Sequence, residues 1–110
     1  MNDHLEILRK ASAGLVYPSE SDHPFEVIRV QKIEELINGR AVVEQSPDAF
    51  FAELLNGDDG PRYRQLQKTM QRLLRNLKVL RVGQRQVDVY VLGQTKTGDV
   101  LGLHTVSVET

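Results

Sequence analysis

The sequence predicts a single α+β domain spanning residues 1–110, built as an antiparallel β-meander with helices on its faces. Three observations carry that expectation. Tyr63, Leu66, Met70, Leu73, Leu74 and Leu77 recur at helical spacing and form one continuous apolar stripe. The last third of the chain instead alternates, with Val87, Val89 and Val91 on one side of a strand and Tyr90 and Leu92 on the other. The turns that separate these stretches, Gly83-Gln84 and Thr97-Gly98-Asp99, are too short for parallel crossovers.

The first helix is expected over residues 3–13. Asp3 and Glu6 have capping-box spacing, Leu5, Leu8 and Ala11 follow on one side, and Gly14 is a natural stop. A polar loop bracketed by Pro18 and Pro24 follows, and 25–30 then alternates as a strand. Residues 32–38 are ambiguous, with Ile33, Leu36 and Ile37 suggesting a short helix ahead of Gly39, and 41–44 leans toward β. Ser46-Pro47 starts a helix over 47–55 with Ser as N-cap and Pro at the first position. The clearest helix is expected over 62–77, and strands over 79–82, 86–94 and 100–109. Because the middle strand is apolar on both sides, both faces of the sheet should be covered. Leu66, Met70, Leu73, Leu74 and Leu77 should be buried, and Arg64, Lys68 and Arg72 exposed.

Composition narrows the functional classes. The chain has no cysteine, which removes disulfides, thiolate nucleophiles and Cys-type zinc sites. This suits a reducing cytoplasm. No apolar run approaches the ~20 residues that span a bilayer, and no secretory leader pattern is present at the N-terminus. His4, His23 and His104 have no metal-ligand spacing, and neither a P-loop nor a G-x-S-x-G elbow occurs. Nothing supports an enzyme.

Charge is unevenly distributed. The net charge is −1, yet residues 62–86 hold eight bases and no acid, leaving six bases against fifteen acids elsewhere. Arg64, Lys68, Arg72 and Arg75 lie opposite the apolar stripe of the expected helix. They could serve a nucleic-acid-binding or adaptor module. The plainer reading, which disfavours direct nucleic-acid binding, is a solvated face whose long side chains cover the apolar edge, and the lack of interleaved aromatics weakens single-strand binding in particular. An acidic loop offers a second candidate: Glu20 and Asp22, among Ser19 and Ser21, are hard oxygen donors without EF-hand spacing.

The stretch Ala11-Ser12-Ala13-Gly14-Leu15, leading through Ser19-Glu20-Ser21 into Pro24-Phe25-Glu26-Val27, resembles the opening of the nuclease A inhibitor family. Asp48-Ala49-Phe50-Phe51, the run Val87 to Thr95, Gly98, Leu101-Gly102 and Val108-Glu109-Thr110 are similar to that family in the same order. The chain departs from the family in being shorter between Val30 and Arg62 and in lacking a Trp between Asn56 and Tyr63. The resemblance implies a three-layer α/β/α sandwich that inhibits a sugar-nonspecific, metal-dependent nuclease. It implies that Glu20 and Thr110 approach the catalytic Mg²⁺ of the partner, with Ser19, Ser21, Asp22 and Glu109 around them. On this reading the protein has no cofactor of its own, is monomeric when free, is cytoplasmic, and keeps Glu20 and Thr110 side by side at one end of the sheet. The basic helix should lie away from that edge.

Overall fold

The structure is a computed structural model that describes residues 3–18 and 22–108. Three long alternating strands of the second half and two shorter ones of the first half assemble one five-stranded sheet. Its strands are β3 (Glu26–Val30), β4 (Val42–Gln45), β5 (Arg75–Val82), β6 (Gln86–Gln94) and β7 (Val100–Val108), in the order β3-β7-β6-β5-β4. Every neighbouring pair is antiparallel, so β5-β6-β7 is the expected meander. The β5–β6 turn depends on Gly83 at φ +114°, where an added Cβ would lie 2.6 Å from the Gln86 carbonyl oxygen. The meander places β6 at the centre, which explains why it is apolar on both sides.

Helices α1 (Asp3–Ser12), α3 (Pro47–Leu55) and α4 (Gly60–Leu73) supply apolar side chains to the larger core. Leu8, Phe50, Phe51, Leu66 and Met70 meet Val79, Val87, Val89, Val91, Leu101 and Leu103 there. The opposite side of the alternation, Leu80, Val82, Tyr90, Leu92 and Val30, forms a second cluster. The five-residue helix α2 (Ile33–Ile37) packs Ile33, Leu36 and Ile37 against it. α2 closes on Asn38 at φ 47°, and the next residue but one locks it in place. Arg40 Nη2 donates to the Leu36 carbonyl at 2.9 Å while its Nη1 donates to Asp88 Oδ2 at 2.7 Å. The ambiguous 32–38 segment is therefore a helix whose C-terminal carbonyls are tied to the sheet by one guanidinium.

The expected Ser46 cap is present, its hydroxyl accepting from the Ala49 amide at 3.1 Å. Other expectations are corrected. Asp3 is already helical in α1 and not its cap, so its carboxylate lies in the first described turn beside the positive helix end. Glu6 pairs forward with Arg9 at 2.7 Å and does not complete a capping box. The segment between Pro18 and Pro24 is not wholly loop. β1 (Val16–Tyr17) and β2 (His23–Pro24) pair as a small separate hairpin.

The largest correction concerns the helix expected over 62–77. α4 ends at Leu73, Leu74 is already extended, and β5 begins at Arg75. Leu73 and Leu77 are half-buried, whereas Leu66, Met70 and Leu74 are buried. Arg75 leaves the helix face and pairs with Gln94 in the sheet. The cause is a register shift between Arg75 and Lys78, where Asn76 adopts φ 54°. In a regular strand, residues three apart point to opposite faces. The bulge absorbs the odd residue, so Leu74 and Leu77 both reach the larger core. Gly93 accommodates them, since a Cβ there would lie 2.7 Å from Leu74 Cβ and 2.8 Å from Leu77 Cδ2. A bulged strand thus imitates helical periodicity.

Candidate functional site

The hairpin β1–β2 holds the two ends of the acidic loop. Tyr17 is buried and stacks on Phe50 of α3 with ring centroids 5.7 Å apart. Its hydroxyl accepts from Arg81 Nη1 at 3.4 Å. The Tyr63 hydroxyl donates to the Val16 carbonyl, and burial pushes that phenol up to about 12. On the β2 side, the buried Thr105 hydroxyl lies 3.0 Å from the Pro24 carbonyl oxygen and 3.2 Å from that of His23. The hairpin is therefore seated on β7 near its C-terminal end. β3 continues the same geometry, with Glu26 opposite His104 in antiparallel register. At that end of the sheet Val108 pairs with Gln86.

Ser19, Glu20, Ser21, Glu109 and Thr110 lie outside the described residues. Asp22 is exposed, immediately before β2. The structure brings the described flanks of both segments to one end of the sheet, where Thr105 links β7 to His23 and Pro24.

The basic face divides. Arg64, Lys68 and Arg72 are exposed on α4, as expected, but Arg75 belongs to β5. Nor is α4 set wholly apart from the hairpin. Arg62 donates to the Ala13 carbonyl and Tyr63 to Val16, so its first turn adjoins β1. Its last turn lies toward the other end of the sheet, beside Gly93 and the Arg75–Gln94 pair.

Sequence reasoning missed a polar cluster on the second sheet face. His104 Nε2 lies 2.9 Å from Asp88 Oδ1, its Nδ1 3.6 Å from Glu26 Oε2, and its ring stacks on Tyr90 at 4.8 Å. A carboxylate only accepts, so Nε2 carries the hydrogen. Burial alone would raise the Asp88 carboxyl, but hydrogen bonds and charge from His104 and Arg40 outweigh it and hold Asp88 below its ordinary value. Burial, then the nearby Asp88 charge, pushes the Tyr90 phenol up. The signal was present: Asp88 and His104 interrupt otherwise apolar alternation on paired strands. The cluster's chemistry is structural, because Arg40 joins it to the C-terminus of α2. Among the described residues, no group of three or more His, Cys, Asp or Glu can hold a metal ion. No described helix is long and apolar enough to cross a membrane.

The elements make a small α+β domain with a polar cluster on one sheet face and a hairpin tethered at one end of the sheet. The chain matches the family of nuclease A inhibitor-like proteins over residues 2–50 and 40–110, and it belongs to that family. The two matched segments overlap at residues 40–50. Comparison with curated proteins finds no match.

Proposed function

We propose that this protein inhibits a sugar-nonspecific, metal-dependent nuclease by occupying its active site, with Glu20 and Thr110 approaching the catalytic Mg²⁺. It acts by binding and not by catalysis. A carboxylate and a hydroxyl are hard oxygen donors of the kind Mg²⁺ accepts in place of phosphate oxygens. The ion belongs to the nuclease and supplies the positive charge that normally draws in the scissile phosphate. Ser19, Ser21, Asp22 and Glu109 surround the contact.

Family membership makes a nuclease the partner. The observation that supports the site is the seating of the hairpin. Thr105 of β7 binds the His23 and Pro24 carbonyls, so the chain leaving the acidic loop is held near the C-terminal end of β7. Two groups can share one ion only if both lie within about 2.0–2.6 Å of it. A cytoplasmic location and a monomeric free form belong to the same proposal, the first resting on the absence of cysteine.

The test is titration of the protein into an assay of a metal-dependent nonspecific nuclease from the same genome. Glu20→Ala, and a chain ending at residue 109, should each raise the inhibition constant by about 30-fold or more, the loss of a central hot spot of ~2 kcal/mol. Melting temperature should hardly move. Inhibition that survives both changes would overturn the metal contact; no inhibition by the unaltered chain of any such nuclease would overturn the function.

A further inference from the structure

The outer face of α4 is made of bases and glutamines only. Arg62, Arg64, Gln65, Lys68, Gln71 and Arg72 are its exposed residues after Pro61, and the helix contains no acid. Arg64, Lys68 and Arg72 stand four residues apart, a row with steps of ~6 Å on a straight helix. α1 shows what a solvated helix face ordinarily does, since its Arg9 is paired with Glu6 at 2.7 Å one turn earlier. No described ion pair involves Arg64, Lys68 or Arg72.

This arrangement works against the helix that carries it. Arg64–Lys68 and Lys68–Arg72 are like-charge pairs at i,i+4, which destabilise a helix. Arg62 and Arg64 stand in or beside the first turn, where the helix dipole disfavours cations; no acid lies within the turn itself, Asp58 and Asp59 preceding it. Arg62 is compensated by its bond to the Ala13 carbonyl, but the row Arg64, Lys68 and Arg72 contradicts local helix preference with no described ion pair to offset it, as binding surfaces do.

We infer that the outer face of α4 is a docking surface for the phosphate backbone of double-stranded DNA, with Arg64, Lys68 and Arg72 as its contacts. Charge complementarity selects a polyanion. A rigid straight row with no exposed aromatic beside it favours backbone contact over base stacking, and so a duplex over a single strand. Gln65 and Gln71 add neutral hydrogen-bond donors to phosphate oxygens. The row leads away from the hairpin, because the first turn of α4 adjoins β1 and its end lies beside Gly93. The inference does not depend on the inhibitory contact. Should both hold, the protein would be concentrated on the substrate of the nuclease it blocks.

The experiment is fluorescence anisotropy of a labelled DNA duplex with the full chain, in EDTA, over a series of salt concentrations. Three phosphate contacts predict a log–log salt slope of about −2.7, so binding should weaken about 20-fold between 50 and 150 mM salt. The triple change Arg64→Gln, Lys68→Gln and Arg72→Gln should weaken binding at least tenfold at 50 mM and flatten the slope toward zero. Its melting temperature should be equal or higher, because the like-charge pairs are gone. Arg64→Lys with Arg72→Lys should retain affinity and slope, as expected where charge is the recognised property. Salt-independent or absent binding, an unchanged triple variant, or tighter binding of poly-glutamate, duplex RNA or single-stranded DNA would each overturn the inference.

Discussion

Thr105→Val isolates the contact that seats the loop-bearing hairpin on the sheet. The substitution keeps the volume and the β-branch but removes the hydroxyl that reaches His23 and Pro24 from β7, at 3.2 and 3.0 Å. Thr105 is 2% exposed, so water does not readily replace it. One hydroxyl proton makes one hydrogen bond's worth of contact, shared between two carbonyls. Its net value is ~1 kcal/mol, and a carbonyl left without a donor adds a further ~1 kcal/mol where it stays buried. The expected loss is therefore about 1–2 kcal/mol. Urea unfolding should show it as a midpoint lowered by roughly 0.5–1 M at an unchanged m of about 2 kcal/mol per M. Under the proposed function, inhibition at concentrations where the variant is fully folded should weaken by about fivefold, the equivalent of 1 kcal/mol spent on re-seating the hairpin. Thr105→Ser should recover most of both losses. A Val variant within ~0.3 kcal/mol of the parent would show that the hydroxyl does not hold the hairpin.

Leu66→Ala should cost roughly 2–5 kcal/mol in the same unfolding assay, the range for a fully buried Leu, and Leu66 is 0% exposed. Leu73→Ala should cost clearly less, because Leu73 is only half-buried at the end of α4; equal costs would restore the longer helix. Gly102→Ala should destabilise by about 3 kcal/mol or prevent folding, since overpacking against backbone has little room to relax and the new Cβ would fall 1.9 Å from the Val91 carbonyl oxygen. Asp88 should confer acid sensitivity. Its folded pKa is depressed, so its contribution is present above the unfolded carboxylate value of about 3.9 and is lost as pH falls through the lower folded value. The stability gap between the parent and Asp88→Asn should therefore be widest near neutrality and shrink below about pH 4; a gap independent of pH would mean that the hydrogen bonds from His104 and Arg40 to the Asp88 carboxylate contribute nothing.

Local patterns determined much of this protein without help from tertiary structure. The Ser46-Pro47 start of α3, the exposed bases of α4 and the alternation of β6 and β7 are all properties of a few adjacent residues, and each is legible because capping, periodicity and pleat act over short range. The family likewise lies in short ordered anchors, from Ala11 to Val27 and from Val87 to Thr110. The end of α4 was not legible, because Leu74 and Leu77 satisfy helical spacing and a bulged strand equally, and the pairing with β6 and the close approach to Gly93 exist only in the folded sheet. The β1–β2 hairpin was hidden for a related reason: two-residue strands carry no period of their own, and their stability comes from Thr105, Tyr63 and the Tyr17–Phe50 stack. The Glu26–His104–Asp88–Arg40 cluster joins three strands and the residue that ties down α2. Such a cluster exists only once β3, β7 and β6 are in register, because cross-strand partners distant in sequence are set by the pairing of the sheet and not by any local preference.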